Sequence, residues 1–160
     1  MDIDNILEHL KASIMDVYEK EKEYFTPING RERDIVFRIA HSLANKIEGN
    51  ENIYVDIEAN RCNGDVKRNT EGKKILPDLI VHKREGTGYL VAEFKCGNNN
   101  NPKKDFAKLE LLTMDQKEHP NLKGDVPTYL QGVFVHLKDN EAQYTLFENG
   151  KEIKTEVIKL

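Results

Sequence analysis

The chain has no tryptophan, two cysteines, five prolines and no apolar run approaching the roughly 20 residues that cross a bilayer. These absences exclude several classes of protein. A membrane-spanning helix has no segment to be made from, and no membrane partner is expected. Cys62 and Cys96 lack CxxC or Cys/His spacing, so neither a zinc site nor a disulfide framework can be assembled; both read as free thiols in a reducing compartment. The opening MDIDNILEHLKAS begins with acids and has neither a basic leader nor an apolar stretch behind it, so a cytoplasmic location is expected. His9, His41, His82, His119 and His136 form no ligand pattern and are expected in structural or surface roles. No GxxxxGK[ST] phosphate loop is present, and neither a helix-turn-helix nor a zinc finger can be read.

What is there is a 160-residue chain with 38% hydrophobic and 32% charged residues, enough for one core and too short for two ordinary domains. A single domain over 1–160 is expected. The formal charge of -4 speaks against a simple polyanion binder, yet it is unevenly placed. Residues 61–108 hold eleven Lys and Arg against six Asp and Glu, a balance of +5 that leaves -9 elsewhere. That segment suits a nucleic acid, or else a solvated surface of mixed sign.

Ile3, Ile6, Leu7, Leu10, Ile14, Val17 and Tyr18 recur at helical spacing, which predicts a helix over 3–22. Pro27 and Asn29-Gly30 end it, and Ile35, Val36, Ile39, Ala40, Leu43, Ala44 and Ile47 predict a second helix over 31–48. The period then falls to two: Ile53, Val55, Ile57 and Ala59 alternate with Tyr54, Asp56, Glu58 and Asn60 as a strand. A long polar connection leads to two strands, ILPDLIVH and GYLVAEFK, that should pair as a hairpin. Asn101-Pro102 is read as the start of a helix running to about 118, with Phe106, Leu109, Leu112 and Thr113 inside. YLQGVFVHL, YTLFE and KEIKTEVI follow as strands, the last two joined at Asn149-Gly150. The order α-α-β-β-β-α-β-β-β predicts an α/β (α+β) three-layer domain, a mixed central sheet flanked by helices, with a parallel crossover between 88 and 137.

Within this frame Asp78 lies in an otherwise apolar strand, where an unpaired carboxylate is costly. Val91, Glu93 and Lys95 share one face of the next strand. A hairpin symmetric about Glu85 and Gly86 sets Asp78 opposite Glu93. Two opposed carboxylates repel unless a cation joins them, and they suit a hard ion such as Mg2+ or Mn2+. Lys95 beside them can hold an attacking water or stabilise charge on a phosphate. Glu93 and Lys95 alone would read as a surface ion pair; Asp78 after Pro77 turns the reading toward a site. Glu58, Asn60, Lys108 and Gln131 are secondary candidates for lining it. Asp105 and Lys108, one turn apart, read as an ordinary helix ion pair unless Lys108 reaches a phosphate. Cys96 has no base spaced to activate it.

Pro77-Asp78 followed by Glu93-Phe94-Lys95 in ILPDLIVHKREGTGYLVAEFKCG resembles the signature of the PD-(D/E)XK nuclease superfamily, the restriction endonuclease-like proteins. The helix, three-strand, helix and strand order over 31–137 is similar to that superfamily's common core, leaving 1–25 as an N-terminal helical extension and 140–160 as a C-terminal hairpin. RERDIVFRIAHSL, DIEANR and DFAKLELLT look like a group of small bacterial proteins built on this core. The resemblance implies that Asp78 and Glu93 bind metal with the Phe94 carbonyl, that Lys95 orients or activates water, and that a glutamate on the first core helix joins them. Glu32 occupies that place, heading the buried stripe of Ile35, Val36 and Ile39; complementing its helix dipole is the other reading. The implied activity is Mg2+- or Mn2+-dependent hydrolysis of DNA to 5'-phosphate products, with RNA as the other substrate. A nuclease-like binding or regulatory module that no longer cleaves is the alternative, favoured by small size and net acidity. A homodimer and a separate specificity partner are expected besides the nucleic acid.

Overall fold

Asp2 starts α1 (Ile3–Glu21) by accepting a hydrogen bond from the Asn5 amide at 2.9 Å. The helix buries Ile6, Leu7, Leu10, Ile14, Val17 and Tyr18, the stripe its periodicity predicts. Next, α2 (Glu32–Ile47) buries Ile35, Val36, Ile39, Ala40, Leu43 and Ile47. In this computed structural model the described residues are 2–22, 32–47, 52–59, 61–62, 65–66, 74–84, 88–97, 101–115 and 128–160. The expected turn at Asn29-Gly30 lies outside them.

The strands are β1 (Ile53–Ile57), β2 (Arg61–Cys62), β3 (Asp65–Val66), β4 (Leu79–Lys83), β5 (Gly88–Cys96), β6 (Tyr129–Leu137), β7 (Glu141–Glu148) and β8 (Lys151–Lys159), with α3 (Lys103–Thr113) between β5 and β6. Six form one sheet in the order β1-β4-β5-β6-β7-β8, while β2 and β3 pair separately inside the stretch read from sequence as a connection. Only β5 and β6 run parallel; the other neighbours in that sheet are antiparallel. The architecture is therefore the expected mixed α+β one, with the element order of a restriction endonuclease-like core.

Alternation divides the sheet into two faces. Leu79, Val81, Leu90, Ala92, Phe94, Val133 and Val135 pack with α1 and α2. Ile80, Val91, Phe134 and Phe147 pack with Leu109 and Leu112 of α3. Phe106 meets Phe134 and Phe147 edge-on, with ring centroids 5.1 and 5.0 Å apart. Gly132 permits this closeness, since a Cβ there would lie 2.9 Å from Thr113 Cγ2 and 3.2 Å from Phe147 Cβ.

Four local expectations are corrected. β4 begins at Leu79, not Ile75, because Pro77 has no N–H for the ladder; Asp78 stands just before the strand. The β4–β5 turn is not symmetric, for the register shifts by one residue between Val81 and His82. Pro102 rather than Asn101 caps α3, without a side-chain hydrogen bond. The helix ends at Thr113, with Met114 extended at ψ 143°, well short of 118. There Thr113 Oγ1 donates to the Leu109 carbonyl at 2.8 Å and accepts from the Gly150 amide at 3.2 Å, tying α3 to the β7–β8 turn. That turn is the expected Asn149-Gly150, with φ values of 50° and 73°.

Candidate active site

The C-terminal half of β5 is where both helical layers reach the sheet. β5 supplies Glu93 and Lys95 on the face covered by α3, and α3 brings Asp105 and Lys108 to them. From the other layer, the first turn of α2 brings Glu32. Asp78 comes from the bend before β4. Leu79 pairs with Ala92 and Ile80 with Val91, so the next position outward sets Asp78 against Glu93, as the sequence arithmetic expected.

Each acid is held differently. Asp78 Oδ2 accepts the Phe94 amide at 2.8 Å, and its carbonyl accepts the Glu58 amide at 3.2 Å. Glu58 adopts φ 48°, a left-handed conformation that costs a non-glycine residue on the order of 1–3 kcal/mol. Its carboxylate pairs with Arg33 at 2.6 Å. Glu93 is 1% exposed; its Oε2 lies 2.5 Å from Lys108 Nζ, while Oε1 is buried with no hydrogen-bond partner among the described residues. Lys108 Nζ also donates to the Leu76 carbonyl at 3.2 Å and lies 4.0 Å from Asp105 Oδ1. Lys95 Nζ sits among oxygens: Phe94 O at 3.1 Å, Asp105 Oδ2 at 3.3 Å and Glu32 Oε1 at 3.5 Å. Glu32 Oε2 accepts the Cys96 amide at 3.1 Å.

Burial, then the neighbouring Asp78, pushes the Glu93 carboxyl up to about 8 against the attraction of Lys108. Burial raises Asp78 as well, opposed by the Phe94 amide and by Lys108 and Lys95. Desolvation acts to lower Lys95, but Glu32, Asp105 and Asp78 together outweigh it and hold its pKa above the ordinary value. Two adjacent carboxylates that resist ionisation, Glu93 buried and Asp78 half-buried, the first with an oxygen lacking a partner among the described residues, describe a site short of positive charge. A hard divalent ion fits that donor set: Asp78 and Glu93 would bind it, with the Phe94 carbonyl available beside them. Among the described residues no group of three or more His, Cys, Asp or Glu is arranged around one point, so the protein ligands to such an ion would be two carboxylates and a carbonyl.

The structure thus brings together Glu32, Asp78, Glu93, Lys95 and Lys108, with Glu58 at the rim. Glu32, Arg33, Val36, Ile57, Glu58 and Asp78 line a cavity of about 170 Å³ opening onto the acids. A larger cavity of about 520 Å³ lies away from them between α1 and α2, so the converging charges, not the void volume, mark this site. Gln131 does not join: it pairs with Leu90 on the face of α1 and α2, and its amide donates to Glu148 at 3.0 Å. Asn60 lies outside the described residues. Burial and then Glu32 push the Cys96 thiol up to about 12, which disfavours its thiolate. Sequence reasoning underused Asp105, 8% exposed and in contact with Lys95. Its spacing to Leu109 and Leu112 places it on the inner stripe, a signal that could have separated it from an ordinary surface ion pair.

No family model matches the chain, and no curated protein does. Among solved structures, it is similar to one described as the cryoEM structure of a DrdV–DNA complex, with a TM-score of 0.49 and 12% identity. The match covers 98% of this chain but 12% of that one, so the chain spans a small part of its structural neighbour.

Proposed function

We propose that the protein hydrolyses phosphodiester bonds of DNA using Mg2+ or Mn2+ held by Asp78 and Glu93. The observation that carries this reading is the Glu93 carboxylate, buried beside Asp78 with one oxygen unpartnered among the described residues and two lysines within the same cluster. When bound, the ion supplies Lewis-acid chemistry, making a water more acidic and neutralising charge on the phosphoryl oxygens. The remaining work belongs to the chain. Asp78, pinned by the Phe94 amide, presents its other oxygen in a fixed direction. Lys95, steered by Glu32 and Asp105, keeps its ammonium protonated at the oxygens where a water and a scissile phosphate would meet. Lys95 acts there as a donor to developing negative charge and not as a base, because the acids around it favour its charged form.

The alternative, a nuclease-like module that binds without cleaving, is favoured by the pairing of Glu93 with Lys108, which already supplies one positive charge to the site. Incubating the protein with duplex, single-stranded and branched DNA and with RNA, under Mg2+ and Mn2+, separates the two. Cleavage that Glu93→Gln abolishes supports the enzyme; binding of DNA without cleavage under either ion replaces it with the binding module.

A further inference from the structure

Lys108 stands in a place the proposed hydrolysis does not explain. Its ammonium is enclosed by Glu93 Oε2 at 2.5 Å, the Leu76 carbonyl at 3.2 Å and Asp105 Oδ1 at 4.0 Å. These are oxygen donors of the kind a hard cation collects, converging from the segment before β4, from β5 and from α3. Glu93 is almost wholly buried, so when it ionises its charge must be matched from within the protein. Helix α3 is held to the sheet by Leu109, Leu112 and Phe106, which fixes the root of Lys108; its four-carbon stem has rotatable bonds by which the ammonium can change place.

We propose that Lys108 is a tethered counter-ion that occupies the Glu93 position in the metal-free protein and is displaced when a divalent ion loads, so that metal and ammonium exchange on one carboxylate. This rests on the divalent site proposed above. A +2 ion on Glu93 and Asp78 repels an ammonium held against the same carboxylate, and the low dielectric of the site strengthens that repulsion. The ion would take Oε1, which has no partner among the described residues, and the ammonium on Oε2 of the same carboxylate would then be held against a doubly charged neighbour. The ammonium therefore moves off Oε2 on its flexible stem. The exchange offsets part of the acidic charge in the apo protein and gives the loaded one a freed cation. It also sets metal affinity by competition, weaker than the two carboxylates alone would confer.

Calorimetric titration of the full chain with Mn2+ at pH 7.5 tests this, comparing the parent with Lys108→Met and with Lys159→Met, an exposed lysine on the edge strand β8. Lys108→Met is expected to bind Mn2+ about tenfold more tightly or better, with Lys159→Met unchanged. Equal or weaker binding by Lys108→Met overturns the exchange, because the lysine would then help to build the site. Absence of binding to every form overturns the divalent reading and the exchange with it. Should Lys108→Met fail to fold, amine acylation of the parent followed by mass spectrometry decides the same question. Lys108 is expected to be protected without metal and modified faster at saturating Mg2+, and a rate that saturating Mg2+ leaves unchanged overturns the proposal.

Discussion

At the scale of the residue, Glu93 makes the sharpest demands. Its carboxyl titrates at about 8 in the folded protein against 4.5 ordinarily, so between those values the folded chain keeps a proton that the unfolded chain has released. Stability from this group is therefore complete below pH 4.5 and is lost as pH rises through 8. In EDTA, the melting temperature of the parent is expected to fall from pH 5.5 to pH 8.5, while Glu93→Gln flattens most of that slope; an equal slope in both would contradict the assignment. Asp78, raised in the same direction, leaves a residual dependence. Mg2+ should restore more stability at pH 8.5 than at pH 5.5, because ionised carboxylates are what it binds. Lys95 predicts a different outcome. Lys95→Ala should lower turnover by about 100- to 1,000-fold while retaining metal binding, the mark of a donor to developing charge; loss of binding by calorimetry would make it a structural residue instead. The pair of acids and this lysine were legible because alternation and strand register are arithmetic. Lys108 was only half legible: its spacing to Asp105 showed a helix pair, but nothing local shows that a lysine turns inward to a carboxylate on another element.

At the scale of the element, the site depends on how closely α3 lies on β6. Gly132 sets that distance, for an added Cβ would meet Thr113, Phe147 and Leu109 within 3.4 Å. Gly132→Val should lift α3 from the sheet, destabilising the protein by about 1–3 kcal/mol. Since Lys108 rides on that helix and competes with the ion for Glu93, the same change should strengthen Mn2+ binding by the folded fraction. Denaturant melts alongside calorimetry on the folded fraction would check this, and unaltered affinity would mean that the site does not depend on helix seating. The elements themselves were read well where periodicity is long, as in α1 and α2, and where turn chemistry is strong, as at Asn149-Gly150. Boundaries suffered where one residue overrides a pattern. Pro77 cut the apolar run ILPDLIVH short and moved Asp78 off the strand, which is what lets its carboxylate turn to the Phe94 amide. The register shift at Val81 could not be read either, because a bulge depends on the twist of both strands and not on the composition of one.

At the scale of the whole molecule, the charge asymmetry that the sequence displays acquires direction. The chain carries -4 overall, yet its basic segment runs through 61–108. Not all of that charge is available to a nucleic acid. Arg84 is engaged by Asp56 at 2.8 Å and lies over the Tyr54 ring 4.4 Å from its centroid, at the end of β4 away from the acids. Lys95 and Lys108 are held by carboxylates inside the site. Lys103 and Lys104 are exposed on the first turn of α3, the helix that carries Asp105 and Lys108. They are expected to contact phosphates and not bases, so binding should fall steeply with salt and show little sequence preference. The double substitution Lys103→Gln and Lys104→Gln should weaken binding of duplex DNA and make the dependence of log affinity on log salt shallower by about two units, one for each phosphate contact removed. Cleavage at saturating DNA should persist, since neither side chain touches the acids. Fluorescence anisotropy across a salt series in Ca2+, with cleavage measured separately in Mg2+, distinguishes the cases. An unchanged salt slope would move the nucleic-acid surface away from α3, whereas lost cleavage at saturating DNA would put these lysines in the catalytic machinery itself.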